Sequence, residues 1–138
     1  MATTKIAPEK TAMEISSLLS KYGASQILTD YEKGQVVGLS FMIQRNGVGI
    51  PFKMPIKAQA VLIAMNKDKQ TPRHLCNDEQ ALRVAWRLIL RWVEAQLALV
   101  EAGAAEIEEI FLPYARTQNG QTVYQIYSAK QFKQLGAG

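Results

Sequence analysis

Cysteine and histidine each occur once in this 138-residue chain, as Cys76 and His74. A lone cysteine cannot form an internal disulfide, which favours a reducing compartment. Two residues fall short of the three or four ligands of a zinc site, and no third side chain is identifiable that would orient a Cys–His pair for nucleophilic catalysis. We therefore expect a protein without metal, cofactor or enzymatic activity.

Long apolar runs are missing as well. The densest apolar stretch, residues 81–100, is interrupted by three arginines and by Glu94, so it does not resemble a bilayer-spanning helix. The start of the chain, residues 1–5, lacks the apolar core of a secretory signal. The sequence therefore predicts a cytoplasmic protein that does not contact a membrane.

Charge is unevenly distributed along the chain, which has a net charge of +4. Residues 1–77 carry ten basic and five acidic side chains, whereas residues 78–112 carry three basic and seven acidic ones. This asymmetry indicates two faces with different functions, although ordinary surface solubility is an alternative.

The length is that of one domain, residues 1–138, whose ends at 1–7 and 129–138 we expect to be frayed.

Helical periodicity predicts four helices, at residues 8–22, 57–66, 78–102 and 104–111. The third is the longest, and Asn77 precedes it as a suitable N-cap. Period-two alternation predicts three strands between the first two helices, with turns at residues 32–34 and at Asn46-Gly47. The apolar face of this sheet is expected to contain Val37, Leu39, Phe41, Ile43, Ile50 and Phe52.

Pro51 cannot donate a hydrogen bond to a neighbouring strand, which places the third strand at an edge. A last short strand is predicted at residues 122–127. The fold class is therefore α+β, in the order α-β-β-β-α-α-α with a final strand. It is a three-stranded antiparallel meander packed against helices, with a long central helix in the C-terminal half.

The long helix is apolar over most of its circumference, which is more than one sheet face normally covers. The sequence therefore predicts a homodimer or higher oligomer that buries part of this helix. The expected oligomer interface consists of Trp86, Trp92, Val93 and Gln96.

Basic residues on the predicted turns, helix start and loop are the most suggestive feature for function. Flexible cations spread along one surface are typical of phosphate contacts with DNA or RNA. The candidate nucleic-acid-binding residues are Lys33, Arg45, Lys53, Lys57, Lys67, Lys69 and Arg73.

Three arginines of the long helix, Arg83, Arg87 and Arg91, lie on one ridge because they are four residues apart. The ridge could follow phosphates. Pairing with neighbouring carboxylates such as Glu79 and Glu94 is the alternative, and we favour it because the acidic partners are at helical spacing.

Residues 81–114 contain the segments Arg83-Val84-Ala85-Trp86-Arg87, Trp92 to Gly103 and Phe111-Leu112-Pro113-Tyr114. This stretch resembles small uncharacterised proteins encoded by bacteriophages and integrated mobile elements, and the resemblance extends over the hairpin and residues 120–124. It implies a phage or mobile-element setting, in which small non-catalytic proteins act in DNA replication, recombination or counter-defence. It implies no particular activity or site residues.

Two functions follow from these observations. The leading hypothesis is a non-catalytic nucleic-acid-binding accessory protein of phage or mobile-element DNA metabolism, with single strands among its ligands. The alternative is a protein-interaction module, such as a phage inhibitor of a host or defence factor, whose acidic second half contacts the partner.

Overall fold

The computed structural model describes residues 2–130 and 132–136. Met1, Gln131, Ala137 and Gly138, which belong to the ends expected to be frayed, lie outside the described residues. The elements are α1 (Pro8–Lys21), β1 (Ala24–Glu32), β2 (Gln35–Arg45), β3 (Val48–Lys53), α2 (Ala58–Lys67), α3 (Asp78–Glu101), α4 (Ile107–Ile110), α5 (Val123–Lys130) and α6 (Phe132–Leu135). The predicted α+β class, the meander and the long helix α3 are confirmed. Within the described ranges, no helix is long and apolar enough to cross a membrane.

The three strands form one antiparallel sheet in the order β1-β2-β3. Both connections are two-residue turns in which each residue has a positive φ, at 50° and 78° for Lys33 and Gly34 and at 54° and 77° for Asn46 and Gly47. Such turns match the twist of the flanking strands. The predicted turns and the edge position of Pro51 in β3 are therefore confirmed.

One face of β2 is buried as its alternation predicts, but only from Leu39 onward. Leu39, Phe41 and Ile43 are all in the core. The register shifts between the pairs Asp30↔Gly38 and Tyr31↔Val36, so β2 contains one extra residue there. This bulge buries Val36 completely and leaves Val37 half-buried, because a bulge interrupts the period of two.

The core is formed where α1 and α3 cover the inner face of the sheet. Trp86 of α3 is completely buried, and its Nε1 donates a hydrogen bond of 3.1 Å to the carbonyl oxygen of Val36. Phe41 and Phe52 stack across adjacent strands with ring centroids 5.0 Å apart. Phe111 meets Phe41 edge-on at 5.5 Å, which joins the segment after α4 to the same cluster.

The chain itself covers most of the apolar surface of α3, contrary to our expectation for the oligomer interface. Trp86 and Val93 are completely buried, so their side chains are not available to a second copy. Trp92 is partly buried and meets Phe111 edge-on at 5.4 Å, and Gln96 is half-buried. Of the four expected interface residues, Trp86 and Val93 are thus buried within the chain itself, while Trp92 and Gln96 keep partial exposure. The oligomer interface and self-association remain predictions.

The final strand predicted at residues 122–127 is wrong, because this segment forms helix α5. Thr122 makes only one isolated bridge, to Arg116. The backbone N–H of Gln125 donates to Oγ1 of Thr122 at 3.2 Å, and the N–H of Thr122 donates to Oε1 of Gln125 at 2.9 Å. This reciprocal capping box starts the helix despite the β-branched and aromatic residues that follow.

The helix predicted at residues 104–111 is shorter than expected. Only Ile107–Ile110 is helical, and a single 3-10 turn, Leu112–Tyr114, follows it. Glu106 and Glu109 form a capping box around this turn of helix. The chain then passes Pro113 and runs alongside β3, where Ala115 forms a bridge with Phe52.

Gln80 fixes the beginning of the chain against the start of α3. Its side chain is buried, and its Nε2 donates to the carbonyl oxygens of Ala2 and Thr4 at 2.7 and 2.8 Å. Its Oε1 accepts from Arg83 at 3.0 Å. These bonds hold residues 2–4 in place, within the segment 1–7 that we expected to fray.

The Gln80→Met variant should lower the free energy of unfolding by about 1–3 kcal/mol, because a side chain of similar size loses three hydrogen bonds and leaves their half-buried partners unpaired. Urea denaturation followed by circular dichroism measures this difference. Gln59→Met, at an exposed position of α2, is the matched control and should change stability by less than about 0.5 kcal/mol. Equal stability of the two variants would contradict a structural role for Gln80.

Candidate nucleic-acid interface

The seven basic residues singled out in the sequence occupy three separate places. Lys33 and Arg45 flank opposite ends of β2, which has 11 residues and is therefore about 33 Å long. Lys57 precedes α2, while Lys67 ends it about 15 Å away. Lys57 lines one cavity with Lys53 and a neighbouring cavity with Lys33. Lys67, Lys69 and Arg73 follow one another along the segment from the end of α2 to the 3-10 turn before α3, and Arg45 is at the far end of β2.

Lys33, Lys53 and Lys57 line two neighbouring depressions, which we together call the lysine groove. It consists of two adjoining cavities of about 410 and 750 Å³ that share Ile56 and Lys57. The smaller cavity contains Lys53, and the larger one contains Lys33 at the β1–β2 turn. All three lysines are exposed, and within the described part of the chain none of them forms an ion pair.

Two tyrosines complete the smaller cavity of the lysine groove. Tyr114 lies in the 3-10 turn after α4, and its ring is held edge-on against Trp92 at a centroid distance of 5.4 Å. Tyr124 is in the first turn of α5 and is 55% exposed. Aromatic rings beside flexible cations provide a stacking surface and a phosphate-binding surface in one place.

The tyrosines were not among the sequence-predicted site residues. Tyr124 was assigned to a strand, although the spacing Thr122-x-x-Gln125 is that of a capping box and could have indicated a helix start. Tyr114 reaches the groove only because residues 115 and 116 pack along β3, where the N–H of Arg116 donates to the carbonyl oxygen of Pro51 at 2.8 Å. No local sequence signal reports such a long-range contact.

Acidic side chains are present at the far end of the groove. Glu32 and Asp78 both line the larger cavity, and Oδ1 of Asp78 accepts from Nε2 of Gln59 at 3.4 Å. The smaller cavity has no acidic lining residue among those described. Attraction for an anion is therefore strongest around Lys53 and Lys57.

Arg45 forms ion pairs with two glutamates of the protein, so its guanidinium group is not available to bind phosphate. Its Nε lies 2.8 Å from Oε2 of Glu108, and its Nη2 lies 3.4 Å from Oε2 of Glu106. The hydrogen bond that Arg45 donates to Glu108 lowers the pKa of Glu108 below its usual value. The same bond raises the pKa of Arg45. Oε1 of Glu108 is buried without a partner within the described residues. These contacts attach the β2–β3 turn to α4.

The arginines of α3 are largely used within the protein, as we favoured from the sequence. Arg83 pairs with Glu79 of its own helix at 3.0 Å. Arg87 instead reaches Glu14 of α1 at 2.9 Å, so its partner comes from a neighbouring helix. Arg91 is exposed.

Cys76 and His74 lie at the 3-10 turn before α3. The half-buried Cys76 sulfur is 3.6 Å from the carbonyl oxygens of Met65 and Pro72. Among residues 2–130 and 132–136, no group of three or more His, Cys, Asp or Glu side chains is arranged to hold a metal ion.

Comparison of the chain with protein-family models, with curated proteins and with solved structures finds no match. The resemblance to proteins of bacteriophages and mobile elements therefore stays a prediction.

The pH dependence of the free energy of unfolding should reveal the contribution of the Arg45–Glu108 ion pair to stability. Because the folded protein lowers the pKa of Glu108, the ionised carboxylate stabilises the fold fully above its ordinary pKa of about 4.5. That contribution is lost as the pH falls through the lower pKa of the folded state. Glu108→Gln should therefore be less stable than the wild type at pH 7, and the difference should diminish in acid.

Urea denaturation of both proteins between neutral and acidic pH measures this convergence. Glu94→Gln is the matched control, because the Glu94 carboxylate forms no ion pair with any described residue. A pH-independent stability difference for Glu108→Gln would show that the charge of Glu108 does not stabilise the fold.

Proposed function

We propose that the protein is a non-catalytic nucleic-acid-binding accessory protein that binds single strands in the lysine groove. The observation that supports this function is the combination of unpaired Lys53 and Lys57 with the exposed ring of Tyr124 in one cavity. Lysine ammonium groups attract the phosphates, and a tyrosine ring stacks on a base of any identity. We place this activity in phage or mobile-element DNA metabolism on the sequence resemblance alone, and in the cytoplasm because a lone cysteine favours a reducing compartment.

The proposal uses fewer basic residues than the sequence suggested. Lys33 extends the groove toward the β1–β2 turn, while Arg45 is neutralised by two glutamates. Lys67, the last residue of α2, and Lys69, two residues beyond it, are exposed and contribute only to the overall positive field. The groove, rather than the whole basic half of the chain, is the proposed binding site.

A protein-interaction module is the second candidate, and one observation favours it. Leu88 and Leu99 of α3 are 44% and 47% exposed, and Ala95 lies between them on the same side of the helix. Exposed apolar side chains on one helix face are typical of a surface that contacts another protein. A host factor, or another copy of the chain in a homodimer or higher oligomer, is the kind of partner that this candidate function implies.

Reversal of two groove charges tests the proposed binding site. Lys53→Glu/Lys57→Glu should weaken binding to a fluorescein-labelled oligothymidine by at least about tenfold, because it replaces phosphate attraction by repulsion. Fluorescence anisotropy at several potassium chloride concentrations gives both the affinity and its salt slope. Neutral Lys53→Ala should reduce that slope by about 0.7 for a single strand.

The matched control is Lys67→Glu/Lys69→Glu, which produces the same change in net charge outside the groove. We expect less than about a threefold loss for this variant, because only the long-range field changes. Equal losses in the two double variants would reject the groove as the binding site. Absence of binding by the wild-type protein at low salt would favour the protein-interaction module instead.

Tyr124→Ala separates stacking from charge. Removal of the ring should weaken binding to oligothymidine by about 1–3 kcal/mol and leave the salt slope unchanged, since stacking releases no counterions. The same anisotropy titrations measure both quantities. Tyr127→Ala, at a less exposed tyrosine of the same helix, is the control and should bind as the wild type does.

A further inference from the structure

The outer edge of β1 carries unpaired backbone groups. β1 is at one end of the strand order, and within the described residues its backbone bonds only to β2. The strand is nine residues long, Ala24–Glu32, and contains neither lysine nor proline. Lysine, proline and short length are common protections of an exposed edge, and β1 lacks all three. Its other protections, the two register shifts and the carboxylates of Asp30 and Glu32, lie toward the ends of the strand and leave its centre open.

The register identifies the residues whose amides point outward. The carbonyl oxygen of Leu39 accepts from the N–H of Met54 at 2.9 Å, so odd-numbered residues of β2 from Leu39 onward face β3. The next residue, Ser40, faces β1, where it pairs with Leu28. Because alternate residues of a strand bond to opposite sides, Ile27 and Thr29 direct their N–H and C=O groups to the free edge.

We propose that this edge of β1 pairs with the β1 strand of a second copy of the chain. The two strands are antiparallel, and a two-fold axis passes between their Leu28 residues. Ile27 of one copy then exchanges backbone hydrogen bonds with Thr29 of the other. The two Leu28 side chains face each other across the axis. Each is 65% exposed in the single chain, and their mutual burial removes that apolar surface from water.

Charge and length favour a second copy as the occupant. Leu28 is the midpoint of Ala24–Glu32 and of the regular stretch between the two register shifts, so this regular stretch pairs with itself in register. In this register Asp30 lies opposite Gln26, and Glu32 lies opposite Ala24. No carboxylate therefore faces another, and the amide of Gln26 is positioned to donate to Asp30.

The contact is small, since it involves one strand from each copy. Interfaces of this size are transient, and we expect a Kd on the order of 10 µM or weaker. Self-pairing does not depend on the proposed nucleic-acid binding, because Leu28 does not line the lysine groove.

Leu28→Lys tests the interface in the full chain without nucleic acid. It places two like charges opposite each other, and it should weaken dimerisation at least about tenfold in sedimentation equilibrium. Val48→Lys is the matched control, because Val48 is 60% exposed at the start of β3 and is not part of the proposed contact. An equal loss in both variants, or a wild-type protein that remains monomeric up to about 1 mM, would overturn the proposal.

Amide hydrogen exchange of the wild-type protein provides a readout that requires no variant. The amides of Ile27 and Thr29 should exchange freely in dilute solution and become protected as the concentration rises. Those of Leu28 and Asp30 should be protected throughout, because they bond to β2. Dimerisation without added protection at Ile27 and Thr29 would assign self-association to another surface, such as the exposed leucines of α3, and would contradict pairing through β1.

Discussion

The hydrogen bond from Trp86 Nε1 to the carbonyl oxygen of Val36 is the contact on which the arrangement of helix and sheet depends. A buried indole N–H requires an acceptor, and the carbonyl oxygen of Val36 provides it beside the β-bulge. The bond fixes the rotation of α3 about its axis. Because α3 is the longest helix, that rotation decides which of its residues face α1, which face α2 and which remain exposed.

The placement of α3 explains why its apolar surface does not require a second subunit over its whole length. The sheet, α1 and the Phe111 cluster cover the side that contains Val93, and α2 covers the first half of the adjacent side through Met65. α2 has only 10 residues, so the second half of that side is left with exposed Leu88 and Leu99. The wide apolar arc of α3 is thus explained by contacts on two sides, with the sheet, α1 and the Phe111 cluster on one side and with α2 on the adjacent side.

Local rules predicted the elements whose signals are local. The turns at Lys33-Gly34 and Asn46-Gly47 and the N-cap at Asn77 depend on adjacent residues, and all were predicted correctly. The bulge that buries Val36 depends on the packing of Trp86, and the grouping of Lys53 with Tyr114 depends on chain segments that lie far apart in sequence. Periodicity contains no information about such contacts, so the sequence indicated the basic character of the site but not its shape or its tyrosines.

The fold also separates charges that the sequence places close together. At one end of β2, Arg45 is neutralised by Glu106 and Glu108. At the other end, the exposed side chain of Lys33 lines the lysine groove. Pairing of two copies about Leu28 would put each Lys33 five residues from the axis, so the two would be about 33 Å apart. A long single strand could then occupy both grooves at once. Weak self-association would thereby strengthen binding to long strands through effective concentration, without any additional contact in either groove.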